Sequence, residues 1–264
     1  MRHRLKDAHR IAIHSLKPET SFKDHFSGHA GRYAEFRPGY PDSLFAYLAA
    51  QCVGQEVAWD CATGNGQAAR SLAPYFSRII ATDASAEQVA SASPHTQIDF
   101  RIAPAESSGL DTASINLVTV AQALHWFDID RFFTEALRVL KPGGVLAVWC
   151  YERCHVGAAC DKTIEKVFAQ TEAYWPPERE IVDDRYQGIT LPVAELPAEE
   201  FFMNASWTAK DMLGYMRTWS ASQRYLVASG EEATALWEDE LQERWGSRAR
   251  VVRWPITLRA GKKI

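Results

Sequence analysis

Val57-Ala58-Trp59-Asp60-Cys61-Ala62-Thr63-Gly64-Asn65-Gly66-Gln67-Ala68-Ala69-Arg70 is the stretch around which the rest of the chain is arranged. It opens as a short apolar run after Gly54, closes on an aspartate, and passes through two glycines into good helix formers. The pattern reads as strand, glycine loop and helix. Glycines at the carboxyl end of a first strand let a ligand approach bare backbone, and the helix that follows aims its free N–H groups into the same crevice.

Charge separates the possible ligands. Gly64-Asn65-Gly66-Gln67-Ala68-Ala69 matches the G-x-G-x-x-A form of a dinucleotide fingerprint, with Asp83 near the usual spacing of about 20 residues for an acid on a ribose. A dinucleotide site, however, puts its first glycine directly after the strand and its pyrophosphate at the helix N-terminus. Here Asp60 ends the strand and three residues intervene. A carboxylate there repels phosphate but suits a ligand carrying an ammonium and a sulfonium, which describes S-adenosyl-L-methionine. An NAD(P)-dependent oxidoreductase and a non-catalytic binding protein remain the competing classes.

Outward from this loop, strands and helices alternate. Pro41 opens a helix through Leu48, with Leu44, Tyr47 and Leu48 on one face. Arg78 to Thr82 is a second strand ending at Asp83, and Ser85 caps the helix from Ala86 to Ala92. Asp99 to Ile102 and Ile115 to Ala121 are the third and fourth strands. A helix follows from about Asp130 to Leu140, stopped by Lys141-Pro142-Gly143-Gly144, and Val145 to Trp149 is the fifth strand. This rhythm predicts an α/β fold with a parallel sheet covered on both faces.

Several ordered segments then carry a resemblance. Asp60-x-x-Thr63-Gly64-x-Gly66, Ala81-Thr82-Asp83, Ala103-Pro104-Ala105-Glu106 and Leu137 to Gly144 resemble the motifs of class I S-adenosylmethionine-dependent methyltransferases. Arg32-Tyr33-x-x-Phe36-Arg37-Pro38-Gly39-Tyr40-Pro41, Val120 to Phe127 and Thr218-Trp219-Ser220 are similar to the branch of trans-aconitate-type carboxyl methyltransferases. The resemblance covers roughly residues 25 to 260. It implies a Rossmann-like doubly wound sheet, mostly parallel with an antiparallel last strand, plus a helical cap. It also implies that the cofactor is held by Tyr33, Asp60, Ala62, Thr63, Gly64, Asn65, Gly66, Asp83, Ala84, Gln88, Ala105, Glu106, Ala121 and Gln122. Arg32, Tyr33 and Arg37 could close over it. Asp83 at a strand end can accept both ribose hydroxyls. Pro104 stands where many relatives place an aspartate for the adenine amino group, which leaves adenine to the Ala105 backbone and Glu106. Asp60 is expected to face the methionine end, directly or through water.

After Tyr151 the rhythm changes. A helix spans Asp161 to Thr171, Trp175-Pro176-Pro177 opens an acidic, proline-punctuated stretch to Pro197, and Phe201 to Trp207 alternates as a strand. Thr208 with Asp211, and Ser229 with Glu232, read as capping boxes. Trp254, Ile256 and Leu258 form a last strand, where Pro255 predicts a bulge or locally unpaired position. The expected organisation is a basic arm over 1–24, a cofactor-binding core over 25–151, an insertion and cap over 152–250, and a final sheet strand over 251–264.

Composition bounds the partners. The 264 residues with 47% hydrophobic content suffice for one sizeable core, and the net charge of −4 provides no basic field for nucleic acid. No stretch approaches the ~20 apolar residues of a membrane span, and the basic N-terminal segment lacks the apolar run of a secretion signal. The five cysteines are an odd number, read as reduced thiols in a cytoplasmic enzyme; Cys150, Cys154, His155 and Cys160 match no metal spacing, so no metal is expected.

The acceptor is expected to be a small molecule, methylated on a carboxylate oxygen that needs no base. His125 at the fourth strand's end is the candidate catalytic base, required if the acceptor is instead a hydroxyl. Trp126, Trp219 and Tyr225 are the expected apolar walls. Arg217 and Arg224 are the expected anion clamps, because a planar guanidinium matches a carboxylate.

Overall fold

The computed structural model of the chain describes residues 38–264. The expected basic arm and the candidates Arg32, Tyr33 and Arg37 lie outside the described residues. Helix α1 (Asp42–Gln51) buries Leu44, Phe45 and Leu48, with Pro41 at its N-cap. Strand β1 (Val57–Cys61) leads into α2 (Gln67–Leu72), then come β2 (Arg78–Asp83), α3 (Ala86–Ser91), β3 (Ile98–Ile102), β4 (Ile115–Ala121), α4 (Ile129–Val139) and β5 (Leu140–Tyr151). Beyond these are α5 (Ala158–Gln170), α6 (Arg179–Asp183), β6 (Ala194–Glu195), β7 (Phe201–Trp207), α7 (Ala209–Arg217), α8 (Ser220–Ser229), α9 (Glu238–Trp245) and β8 (Arg250–Lys262).

The described strands form one eight-stranded sheet in the order β3-β2-β1-β4-β5-β8-β6, with β7 also paired to β8. The first five are mutually parallel, and β8 runs antiparallel to β5, β6 and β7. Alternate residues of the central strands feed two cores. Ala58, Leu117, Ala147 and Trp149 join the layer of α1 and α2, whereas Trp59, Val118, Leu146 and Val148 join that of α4. Both faces are therefore covered, which is why these strands read as continuous apolar runs. The strand order reverses between β1 and β4, and ligands of open α/β sheets bind at the carboxyl ends beside such a reversal.

Three local expectations change. Lys141-Pro142-Gly143-Gly144 ends α4 but is not a loop: β5 starts at Leu140, and the pairing with β4 shifts register between Ile115 and Leu117 to absorb the extra residues. Gly143, at φ 73°, donates its N–H to the Lys263 carbonyl, and the Lys263 ammonium caps α4 through the Leu137 and Leu140 carbonyls. Ser229 is the last residue of α8, terminated by left-handed Gly230, so the second capping box does not form. The first does, between Thr208 and Asp211. Pro255 causes no bulge; its partner Phe202 lies in unbroken register, at the point where β8 passes from β7 to β5. Among the described residues, no helix is long and apolar enough to cross a membrane.

Candidate functional site

The glycine loop folds back because three of its five residues from Ala62 to Gly66 are left-handed: Ala62 (φ 54°), Gly64 (φ 57°) and Gly66 (φ 88°). Gly66 is needed twice over, since a Cβ there would also lie 2.7 Å from the Phe100 ring. Beneath the loop, Asp60 is 0% exposed. Its Oδ2 accepts the Thr63 hydroxyl at 2.6 Å and its Oδ1 the Thr119 hydroxyl at 2.8 Å, so it fastens the loop to β4. Burial pushes its pKa up to about 6, against the pull of the two hydroxyls. The expectation that this carboxylate faces the ligand is corrected: with no exposed surface it acts through the loop.

Asp83 ends β2 and ties the same loop down from the other side. Its Oδ2 accepts the Gly64 N–H at 2.8 Å and its Oδ1 the Ser85 N–H at 2.9 Å. A carboxylate oxygen has two lone-pair sites, so each can accept more than one hydrogen bond. Gln88, held at α3's start by its N–H to the Ser85 hydroxyl, places its amide oxygen 3.7 Å from where a Gly64 Cβ would be; Ala84 is half-buried between them. Asn65 is half-buried on the loop. After β3, Ala105 is buried, and Glu106 uses one oxygen to accept the Asp128 N–H at 3.0 Å. That bond secures the start of α4 and leaves its second oxygen for a ligand. At the end of β4, after Ala121, Gln122 is also left-handed (φ 55°); its N–H donates to the Trp149 carbonyl and its side-chain oxygen accepts the Tyr151 N–H. Left-handed non-glycine residues at the ends of both central strands are strain of the kind found at binding sites.

These residues form a cradle of bare backbone, flanked by a buried aspartate at β1 and a strand-end carboxylate at β2. A phosphate would meet negative charge from both sides, whereas a cationic, phosphate-free nucleoside fits. The donor set therefore suits S-adenosylmethionine and disfavours a dinucleotide.

Next to the cradle opens a cavity of about 790 Å³. Gln122, His125 and Trp126 form its core side, and α5, α7 and α8 its cap side. Phe168 and Trp175 stack at 5.1 Å, with Trp219 5.8 Å from Trp175. Trp126 and Trp219 line the cavity as expected walls, but Tyr225 does not; it packs on Tyr174 and accepts the Gln170 amide. Arg217 lines the cavity already neutralised, ion-paired to Glu232 at 2.6 Å and Glu238 at 2.9 Å, and is a poor anion clamp. Arg224 lines the cavity and donates to the Tyr174 carbonyl at 3.4 Å.

Two ring-stacked guanidiniums in the cavity wall escaped the sequence reading. Arg153 lies 3.5 Å over the Phe168 ring, and Arg179 lies 4.9 Å over Trp175 while paired to Asp183. Stacking fixes a guanidinium plane and leaves its N–H edge available to an anion. Arg153 lies two residues past the end of β5, the same kind of signal that singled out His125 after β4. Arg179 sits in the proline-punctuated insertion, where no periodicity marks it.

His125 is 8% exposed and lies 4.7 Å from Trp126, ring to ring. Burial, reinforced by the Arg179 guanidinium and opposed by Glu178, pushes its pKa down to about 4. Its Nδ1 is 3.3 Å from the Tyr186 hydroxyl. Cys150 within β5 and Cys154 just after it have thiols that burial pushes up to about 12.

A family described as "Methyltransferase domain" matches residues 59–148. A Dictyostelium discoideum protein named as a methyltransferase is 32% identical over 218 residues, spanning 81% of this chain and 83% of its own. A Saccharomyces cerevisiae protein described as an S-adenosylmethionine-dependent methyltransferase is 31% identical over 51% of this chain and 49% of its own. Among solved structures, a type II methyltransferase from Anaeromyxobacter dehalogenans superposes with a TM-score of 0.81 at 36% identity, covering 86% of this chain and 97% of that one. Those descriptions name no acceptor.

Proposed function

The chain belongs to the class I S-adenosylmethionine-dependent methyltransferases, and from that premise we propose that it transfers the methyl group to a carboxylate oxygen of a small molecule. When bound, S-adenosylmethionine supplies an electrophilic methyl on a sulfonium leaving group. The chain's part is to hold the donor and present the acceptor oxygen in line with the methyl, positioning that can account for several kcal/mol. Ala62 to Gly66, with Asp83, Ala84 and Gln88, would hold the ribose and amino-acid end, and Ala105 and Glu106 the base. Residues 152–250 would enclose the acceptor and 251–264 would complete the sheet of the donor-binding core.

The observation that carries the carboxylate is the state of His125. A general base works best with a pKa near the working pH, and an imidazole pushed down to about 4 has little drive to take a hydroxyl proton. A carboxylate has no proton to lose. The cavity's stacked guanidiniums, Arg153 and Arg179, suit it as well. Free thiols among the described cysteines fit a reducing cytoplasm.

The test is incubation with isotopically labelled donor and paired panels of small acids and hydroxyl compounds, with products read by mass spectrometry. Methyl esters are expected. Ethers formed while no acid is esterified would transfer the assignment to a hydroxyl methyltransferase.

A further inference from the structure

Tyr186 belongs to the insertion after β5, in a turn unlike the sheet around it. It and Arg185 are consecutive left-handed residues, at φ 59° and 58°, a conformation that side chains resist. The turn is pinned from below: the Arg259 guanidinium, itself paired to Glu195, donates to the carbonyls of Tyr186 at 2.6 Å and of Ile189. The result is a phenol 1% exposed, aimed at the end of β4. Non-glycine residues held this way, one of them against a cavity-lining histidine, call for a reason.

The hydroxyl supplies one. Burial, with Cys150 and Tyr40 facing it, keeps the phenol protonated. A buried phenol has one proton to place. Among the described residues the acceptor in reach is His125 Nδ1, at 3.3 Å. A neutral imidazole that accepts at Nδ1 carries its own proton on Nε2. That nitrogen has no protein partner among the described residues, and His125 lines the acceptor cavity.

We propose that Tyr186 is a positioning residue that holds His125 in the Nε2–H tautomer, so that the imidazole meets the acceptor as a hydrogen-bond donor to the carboxylate oxygen that is not methylated. The inference rests on the carboxylate reading above. The low pKa fits it, since a neutral ring keeps one fixed donor and repels no cationic donor molecule. The charged groups facing the ring are Arg179 and Glu178. Donor and base are opposite tasks for the same nitrogen, and they separate experimentally.

The first measurement is ¹⁵N NMR of the full-length, ligand-free protein, with the His125 signals assigned by their loss in His125→Gln. A protonated Nε2 and bare Nδ1 at neutral pH are expected. Tyr186→Phe, which keeps the buried ring, should then move a substantial share of the proton to Nδ1. In turnover with an esterified acid, His125→Gln, whose amide N–H reaches the Nε2 position, should stay within roughly tenfold of wild type, while His125→Ala loses roughly a hundredfold. Tyr186→Phe should lower kcat more than it raises KM, and the wild-type rate should stay flat from about pH 7 to 8.5, above the titration of Asp60. A proton found on Nδ1 in the wild type overturns the proposal whatever the acceptor is. So does His125→Gln as inactive as His125→Ala. Failure of the whole acid panel would refute the carboxylate reading instead and leave the tautomer result standing.

Discussion

Asp60 gives the most direct check on the loop. Its folded-state pKa of about 6 exceeds the ordinary carboxylate value near 3.9, so the folded protein binds its proton more tightly than the unfolded chain does. The sign is opposite to that of a salt-bridged acid. Its contribution is fully favourable below about pH 4 and is lost as pH rises through about 6. Two pKa units at about 1.4 kcal/mol each make about 3 kcal/mol the upper size of that loss, and no discount for exposure applies because the group is wholly buried. Asp60→Asn keeps one acceptor for the Thr119 hydroxyl, and the new amide can donate to Thr63, whose hydroxyl then turns. The variant therefore removes the titration and keeps the packing. Urea unfolding of both proteins from pH 4.5 to 8 is the assay, read as wild type minus variant so that every other titrating group cancels. About 1 kcal/mol of that loss is complete by pH 4.5, so the difference should move against the wild type by roughly 2 kcal/mol between the ends of that range. A flat difference would refute the claim that this carboxylate ionises in a desolvated site.

Other predictions follow from the same contacts. Asp83→Ala should weaken S-adenosylmethionine binding by roughly 1.5 to 3 kcal/mol in calorimetry; unchanged affinity in the folded variant would remove Asp83 from the ribose site, despite its bonds to Gly64 and Ser85. Arg153→Gln should raise KM for an acid acceptor roughly tenfold with donor affinity unchanged, whereas Arg217→Gln, which leaves Glu232 and Glu238 unpaired, should register in thermal stability more than in KM. The reverse ranking would return the clamp to Arg217. Glu135 is held down to about 2 by the Arg138 guanidinium and by Ser108, so its contribution is present above about pH 4.3 and lost as pH falls through 2. Glu135→Gln should cost roughly 2 kcal/mol at pH 7 and progressively less on acidification, measured by denaturant titration.

The glycine-loop half of the candidate site was legible because its signals are local. Strand, glycine loop and helix from Val57 to Leu72 lie within sixteen residues, and the acid ending β2 is in view of both periodicity and capping. What local pattern misses is direction. Nothing in Val57 to Cys61 tells that Asp60 points down onto Thr119, a residue 59 positions away on a neighbouring strand, and not up into the crevice. Arg217 failed for the same reason: its chemistry was read correctly, but Glu232 and Glu238, which consume it, arrive from the next turn of chain. Left-handed backbone at Ala62 and Gln122 has no sequence signature, because neither residue is glycine.

The cavity half was hard to read for a different reason. Its walls come from segments that share no period: Trp126 after β4, Arg153 after β5, Phe168 on α5, Trp175 and Arg179 on either side of Pro176-Pro177, Trp219 between α7 and α8. Each is ordinary alone. Their meeting depends on β8, whose antiparallel seat on β5 and β7 brings the insertion back over the carboxyl ends of β4 and β5. Arg259 on that strand also reaches the turn that carries Tyr186. The last strand thus connects fold to chemistry: it closes the sheet and, through one guanidinium, fixes the phenol that sets the state of His125. Arg259→Lys keeps the charge, yet its compact ammonium lacks the span of the planar fork, whose separate nitrogens reach the two carbonyls on one side and Glu195 on the other. Loosening the Tyr186 turn should lower kcat while the donor site, built on β1 and β2, binds as before.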